Sequence, residues 1–110
     1  MVKVKPRNGV KVLTALLTSL PDKQAELGQA LEGLRLAVGQ EAGCLDCVVG
    51  HEVPGGSRFV LLMVWKNLEA LEAHMASDDF RILRGAMNVL SEPAEFRLVE
   101  ADEAGGGFAS

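Results

Sequence analysis

The only Trp of this chain and one of its two His residues lie nine positions apart, in Trp65-Lys66-Asn67-Leu68-Glu69-Ala70-Leu71-Glu72-Ala73-His74. An imidazole is the side chain whose ordinary proton affinity best suits base work near neutrality. An indole can stack on a ring and donate one hydrogen bond. Phe80 and Arg84 follow, and Arg84 could reach an anionic substrate, although exposed helix arginines are commoner. Each residue also has a plainer reading. A strand-end Trp65 buried under helices needs no ligand. His74 falls three positions after Leu71 and one before Met75, on the margin of an apolar stripe, where a half-exposed ring satisfied by backbone or water is expected. His51 is followed by Glu52, but strand alternation sends the two to opposite faces, so they form no dyad.

Cys44 and Cys47 enclose Leu45-Asp46. Metal or redox work would need both sulfurs on one side. Gly43 before them and Val48-Val49 after them predict a strand start, in which positions three apart face opposite ways. Two reduced, packed thiols are expected. No zinc-ligand spacing, no glycine-rich nucleotide fingerprint and no Ser-His-Asp grouping stands in the sequence, so neither metal nor cofactor is expected.

The elements that must position these residues follow from periodicity. Residues 1–9, basic and broken by Pro6 and Gly9, read as a tail. Val10 to Ser19 is β-branched and apolar on both faces, a strand covered on both sides. Pro21 and Asp22 fit the first turn of a helix. Leu27, Ala30, Leu31, Leu34 and Val38 recur at helical spacing, and Gly39 is its stop. Gly28 and Gly33 weaken that helix by about 1 kcal/mol each, which close packing could explain.

Cys44 to Val53 reads as a second strand and Pro54-Gly55-Gly56-Ser57 as a hairpin loop. Arg58 to Lys66 reads as a third strand, with Phe59, Leu61, Met63 and Trp65 on one face and Val60, Leu62 and Val64 on the other. Asn67 can cap a helix that carries Leu71 and Met75 inward. Ser77 can cap another, running from Asp78 to about Leu90 with Phe80, Leu83, Met87 and Leu90 inward. Met63, Met75 and Met87 read as core fillers. Ala94 to Ala101 is a last strand, and residues 102–110, with three consecutive glycines, read as a flexible tail.

The order βαββαβ predicts an α+β, ferredoxin-like domain over residues 10–101: a four-stranded antiparallel sheet with helices on one face. Helices on one face cannot cover strands that are apolar on both. A second copy of the sheet can, so a homodimer is expected. At 110 residues and 48% hydrophobic content, one domain with a modest core is the expectation. A net charge of −4 without a Lys/Arg block speaks against nucleic acid. No apolar run approaches the ~20 residues of a membrane span, and the N-terminus lacks a signal-peptide core; the cytoplasm is the expected location.

Three segments carry a resemblance to a known family. Glu41-Ala42-Gly43-Cys44 looks like the loop into a second strand, Trp65-Lys66-Asn67-Leu68-Glu69-Ala70-Leu71 like a strand-to-helix junction, and His74-Met75-Ala76-Ser77-Asp78-Asp79-Phe80 like a helix-break-helix. Together they resemble the antibiotic biosynthesis monooxygenase (ABM) family of dimeric α+β barrels. The resemblance implies a dimer that closes a β-barrel and a pocket between sheet and helices. It implies an apolar or aromatic small-molecule ligand and cofactor-free oxidation of anthrones, quinols or related phenols. In that setting His74 would be the base, with Trp65, Phe80 and Arg84 around the substrate. The chain departs from the studied oxygenases in having no Tyr and in carrying Leu61, not Asn, four residues before Trp65. Haem-degrading relatives carry an Asn on the first strand, and Val10 to Ser19 has none. Isomerases of sugar-like phosphates share the fold, and a non-catalytic binding or stress-related module would use the same pocket.

Overall fold

The computed structural model describes residues 9–101; the two expected tails lie, but for Gly9, outside the described residues. The elements are β1 (Val10–Thr18), α1 (Gln24–Val38), β2 (Cys44–His51), β3 (Arg58–Trp65), α2 (Leu68–Met75), α3 (Asp78–Leu90) and β4 (Glu95–Ala101). The strands form one antiparallel sheet in the order β2-β3-β1-β4, the ferredoxin-like arrangement expected from βαββαβ.

Alternation sorts the two sheet faces. Lys11, Leu13, Ala15 and Leu17 of β1 stand directly opposite Trp65, Met63, Leu61 and Phe59 of β3, and all eight are buried. The helices lie on this face: Leu27, Leu31, Leu34 and Val38 of α1, Leu71 of α2, and Phe80, Leu83 and Met87 of α3 complete one continuous core. On the other face Val48, Val60 and Val99 are exposed and Leu16, Leu62 and Val64 half-buried. The mismatch read from the sequence is therefore present: helices cover one apolar face and leave the other open.

Four local expectations need correction. Pro21 and Asp22 lie in a turn before α1, closed by the Lys23 amide donating to the Leu20 carbonyl (3.0 Å); Asp22 takes φ 64°, which a helix cannot accept, so α1 starts at Gln24. Gly33 has nothing within 4 Å of where a Cβ would sit, whereas a Cβ at Gly28 would touch the Phe59 ring at 3.4 Å; close packing bears on only one of the two glycines. Met75 is exposed and His74 takes the inward place beside Leu71. Finally, β2 contains a bulge between Cys44 and Asp46. One extra residue reverses the alternation, so Cys44 lies opposite Trp65 and Cys47 opposite Met63, both on the helix-covered face. The thiols are free. Burial pushes both up, Cys47 to about 11, which keeps the reactive thiolate scarce.

Candidate functional site

The strand-to-helix junction after Trp65 is built by two caps. The Asn67 side chain accepts from the Ala70 amide at 2.8 Å and starts α2. The Ser77 hydroxyl accepts from the Phe80 amide at 3.2 Å and starts α3. That same hydroxyl donates to the His74 carbonyl. Ser77 therefore ties the end of one helix to the start of the next and sets His74 and Phe80 relative to each other. A cap of this kind contributes about 1 kcal/mol.

His74 is 1% exposed, not half-exposed as its place on the helix stripe suggests. Its ring stacks on Trp65 with centroids 4.8 Å apart and 27° between planes. Phe80 meets it edge-on at 5.3 Å and 67°. The imidazole is thus clamped between two aromatic side chains from β3 and α3. Its Nδ1 lies 3.1 and 3.2 Å from the two carboxylate oxygens of Glu41. Among the described residues neither His74 Nε2 nor Trp65 Nε1 has a hydrogen-bond partner, although both are buried. Buried polar nitrogens are almost always satisfied, so two orphans in one aromatic stack mark the place as unusual.

Glu41 is a site residue that the sequence reading left in its loop without a role. The α1–β2 connection presents it through a set of backbone hydrogen bonds: Glu41 amide to Val38 carbonyl (2.9 Å), Cys44 amide to Glu41 carbonyl (3.1 Å) and Lys66 amide to Gly43 carbonyl (2.9 Å). Gly43 adopts φ 88°, and a Cβ there would come within 2.5 Å of the Ala70 Cβ. Only glycine permits that turn and that approach of the loop to α2.

The remaining predicted residues lie around a cavity of about 470 Å³ between α3, the 91–94 turn and β4; its lining includes Met75, Phe80, Arg84, Asn88 and Phe96. The Arg84 guanidinium carbon stands 6.0 Å from the Phe80 ring centre. Trp65 and His74 are not in this lining. Phe80 belongs to both groups: its ring packs T-shaped against His74 and the residue lines the cavity. The structure thus divides the four predicted site residues into a buried stack, Trp65 and His74, and a cavity pair, Phe80 and Arg84, in contact through Phe80. Asn88, one turn after Arg84 on α3, and Phe96 of β4 also line the cavity and were not singled out by type or spacing. His51 lies elsewhere, exposed and tilted on Phe59 with ring centroids 4.1 Å apart. Among the described residues no cluster of His, Cys, Asp or Glu could hold a metal ion, and no helix is long and apolar enough to cross a membrane.

Solved structures with this fold come from several organisms. A conserved protein from Bacteroides thetaiotaomicron superimposes with a TM-score of 0.80 at 20% identity, covering 86% of this chain and 99% of that one. A candidate antibiotic biosynthesis monooxygenase from Deinococcus radiodurans gives 0.78 at 25% identity, with 83% and 91% covered. A variant of SnoaB, a cofactor-independent oxygenase from Streptomyces nogalater, gives 0.75 at 18% identity, with 84% and 93% covered. No curated protein matches the chain. The family description "antibiotic biosynthesis monooxygenase" fits residues 12–84, a span that holds Glu41, Trp65, His74, Phe80 and Arg84 together, and the chain belongs to the antibiotic biosynthesis monooxygenase (ABM) family.

Proposed function

We propose that this protein is a cofactor-independent monooxygenase acting on an electron-rich aromatic small molecule, such as a polyketide-like phenol or a quinol, and that it works as a homodimer. The observation that carries the reading is the buried His74 ring, with an unpartnered Nε2, stacked on Trp65 and in contact with Phe80, which also lines an apolar-walled cavity. Family membership supports it, and so does the SnoaB likeness at the level of fold.

The chemistry needs little beyond that. His74 Nε2 takes a proton from an anthrone-like or quinol-like substrate. The resulting carbanion or phenolate passes one electron to O₂, and the radical pair joins through a new C–O bond. The peroxide takes back the proton from the imidazolium and loses water, leaving a carbonyl: substrate CH₂ plus O₂ gives C=O plus H₂O. The substrate itself is the reductant. Arg84 and Asn88 on the cavity wall are placed to stabilise the negative charge that develops on the substrate oxygen, and Phe80, Met75 and Phe96 supply apolar contact for its rings.

Oxygen uptake with anthrones or hydroquinones, in the absence of added cofactor, tests the reading. Turnover that saturates with substrate supports it. No uptake by folded protein that nevertheless binds these phenols would favour the other reading, a binding module using the same cavity without chemistry, which the position of Trp65 and His74 outside the cavity lining supports. The dimer rests on the uncovered apolar face of the sheet around Val48, Val60 and Val99. Light scattering should give twice the monomer mass, and a stable monomer at micromolar concentration would remove it.

A further inference from the structure

The geometry points to Glu41 as the positioning residue of this site: its carboxylate holds the proton of His74 on Nδ1 and so leaves Nε2 as the bare lone pair that does base work. This inference rests on the proposed function for its catalytic meaning, but not for its test.

An ionised carboxylate can only accept hydrogen bonds. Both oxygens of Glu41 lie within 3.2 Å of Nδ1, so that nitrogen must be the donor. In a neutral ring the other nitrogen then carries no proton. Free imidazole side chains favour the opposite tautomer, so the protein has to impose this one, and the partner on the far nitrogen is what sets it. The His74 side chain is fully buried whereas the Glu41 side chain is 22% exposed. The carboxylate edges a hollow of about 400 Å³ shared with Ser77, Asp78 and Asp79.

The reaction balance assigns Glu41 no wider part. The proton that Nε2 takes from the substrate leaves again with the product water, so the Nδ1 proton never has to move. Glu41 is an anchor: it fixes the tautomer, fixes the ring plane against Trp65, and stabilises the imidazolium while it exists. A carboxylate oriented in this way strengthens a histidine base without touching the substrate. The backbone bonds of residues 38–44 and the Gly43 turn hold Glu41 in place, which is the design expected where a charge must sit within hydrogen-bond reach of a buried ring.

Nitrogen-15 NMR of the two imidazoles tests the assignment without turnover, at a pH alkaline enough that both rings are neutral; His51→Gln assigns the signals. The expected result is His74 with Nδ1 protonated and Nε2 bare, shifting toward the Nε2-protonated form in Glu41→Ala. In oxygen uptake, Glu41→Ala should lower kcat by about 10²–10⁴-fold with little change in KM, the upper end being the scale seen when a histidine base loses its orienting carboxylate, and Glu41→Asp should recover part of it. An Nε2-protonated His74 in the unmodified protein, or an imidazole spectrum that Glu41→Ala leaves unchanged, overturns the proposal. If the unmodified protein consumes no oxygen, the functional reading fails and the NMR result alone decides the role of Glu41.

Discussion

Two buried nitrogen-bearing side chains, each paired with a carboxylate, lie on the helix-covered face of the sheet near Trp65, and they have opposite characters. Lys11, 4% exposed, stands opposite Trp65 in register. Its ammonium meets Glu100 at 3.3 Å and the Gly9 carbonyl at 3.2 Å. His74, 1% exposed, stacks on Trp65 and meets Glu41 at 3.1 Å. The Lys11 pair joins directly opposed residues of β1 and β4 and its charge is well supplied with acceptors; it is a cross-strand staple. The His74 pair joins a loop to a helix and leaves one ring nitrogen bare. A buried polar group with all its needs met builds the fold, and one held in place with a need unmet is available for a ligand.

The largest difference between the pairs should be kinetic. His74→Ala is expected to reduce oxidation of a phenolic substrate by 10²–10⁴-fold, roughly the contribution of a general base. Lys11→Met should leave the rate within about two-fold, because Lys11 does not line the cavity and its partner Glu100, half exposed, can turn to water. Steady-state oxygen uptake on both variants, with circular dichroism to check the fold, makes the comparison. Equal losses would merge the two pairs into one function.

Stability should rank them the other way. Glu100→Ala leaves Lys11 buried without its carboxylate and should cost about 1–2 kcal/mol in urea unfolding, less than for a wholly buried pair because Glu100 is half exposed. Its kcat should not change. A smaller loss, about 1 kcal/mol, is expected for Ser77→Ala through the missing α3 cap. Unlike Glu100→Ala it should also slow turnover, since Ser77 sets His74 against Phe80. The smallest effect should be a gain: Gly33→Ala, at an open helical position of α1 distant from both pairs, should stabilise by about 0.5–1 kcal/mol with activity unaltered.

Much of this frame was legible before any coordinates. Strand alternation and helical spacing are local signals, and Phe59, Leu61, Met63 and Trp65 on one face, Asn67 and Ser77 as caps, and the uncovered opposite face all follow from them. Failures occurred where a three-dimensional event overrides a count along the chain. The β2 bulge inserts one residue and turns Cys44 to the same face as Cys47, which no alternation rule anticipates. On α2 the stripe after Leu71 can continue at either 74 or 75. Hydrophobicity favours Met75, but the Trp65 ring below and the Glu41 carboxylate beside it reward an imidazole, and His74 turns in. Glu41 carries no local signal of its role because its partner lies 33 positions away. The available signal was Gly43, a glycine whose turn holds that loop against α2.

In the proposed reaction His74 deprotonates a phenolic ligand inside the protein. A hydroxyanthraquinone that binds but cannot be oxidised further reports this directly, because its anion absorbs at longer wavelength than its neutral form. At a pH well below the ligand's own ionisation, the unmodified protein should bind it with the spectrum of the anion. His74→Ala should bind it with comparable affinity and the spectrum of the neutral phenol. The same anion spectrum in both proteins, or a neutral ligand in both, would contradict the account.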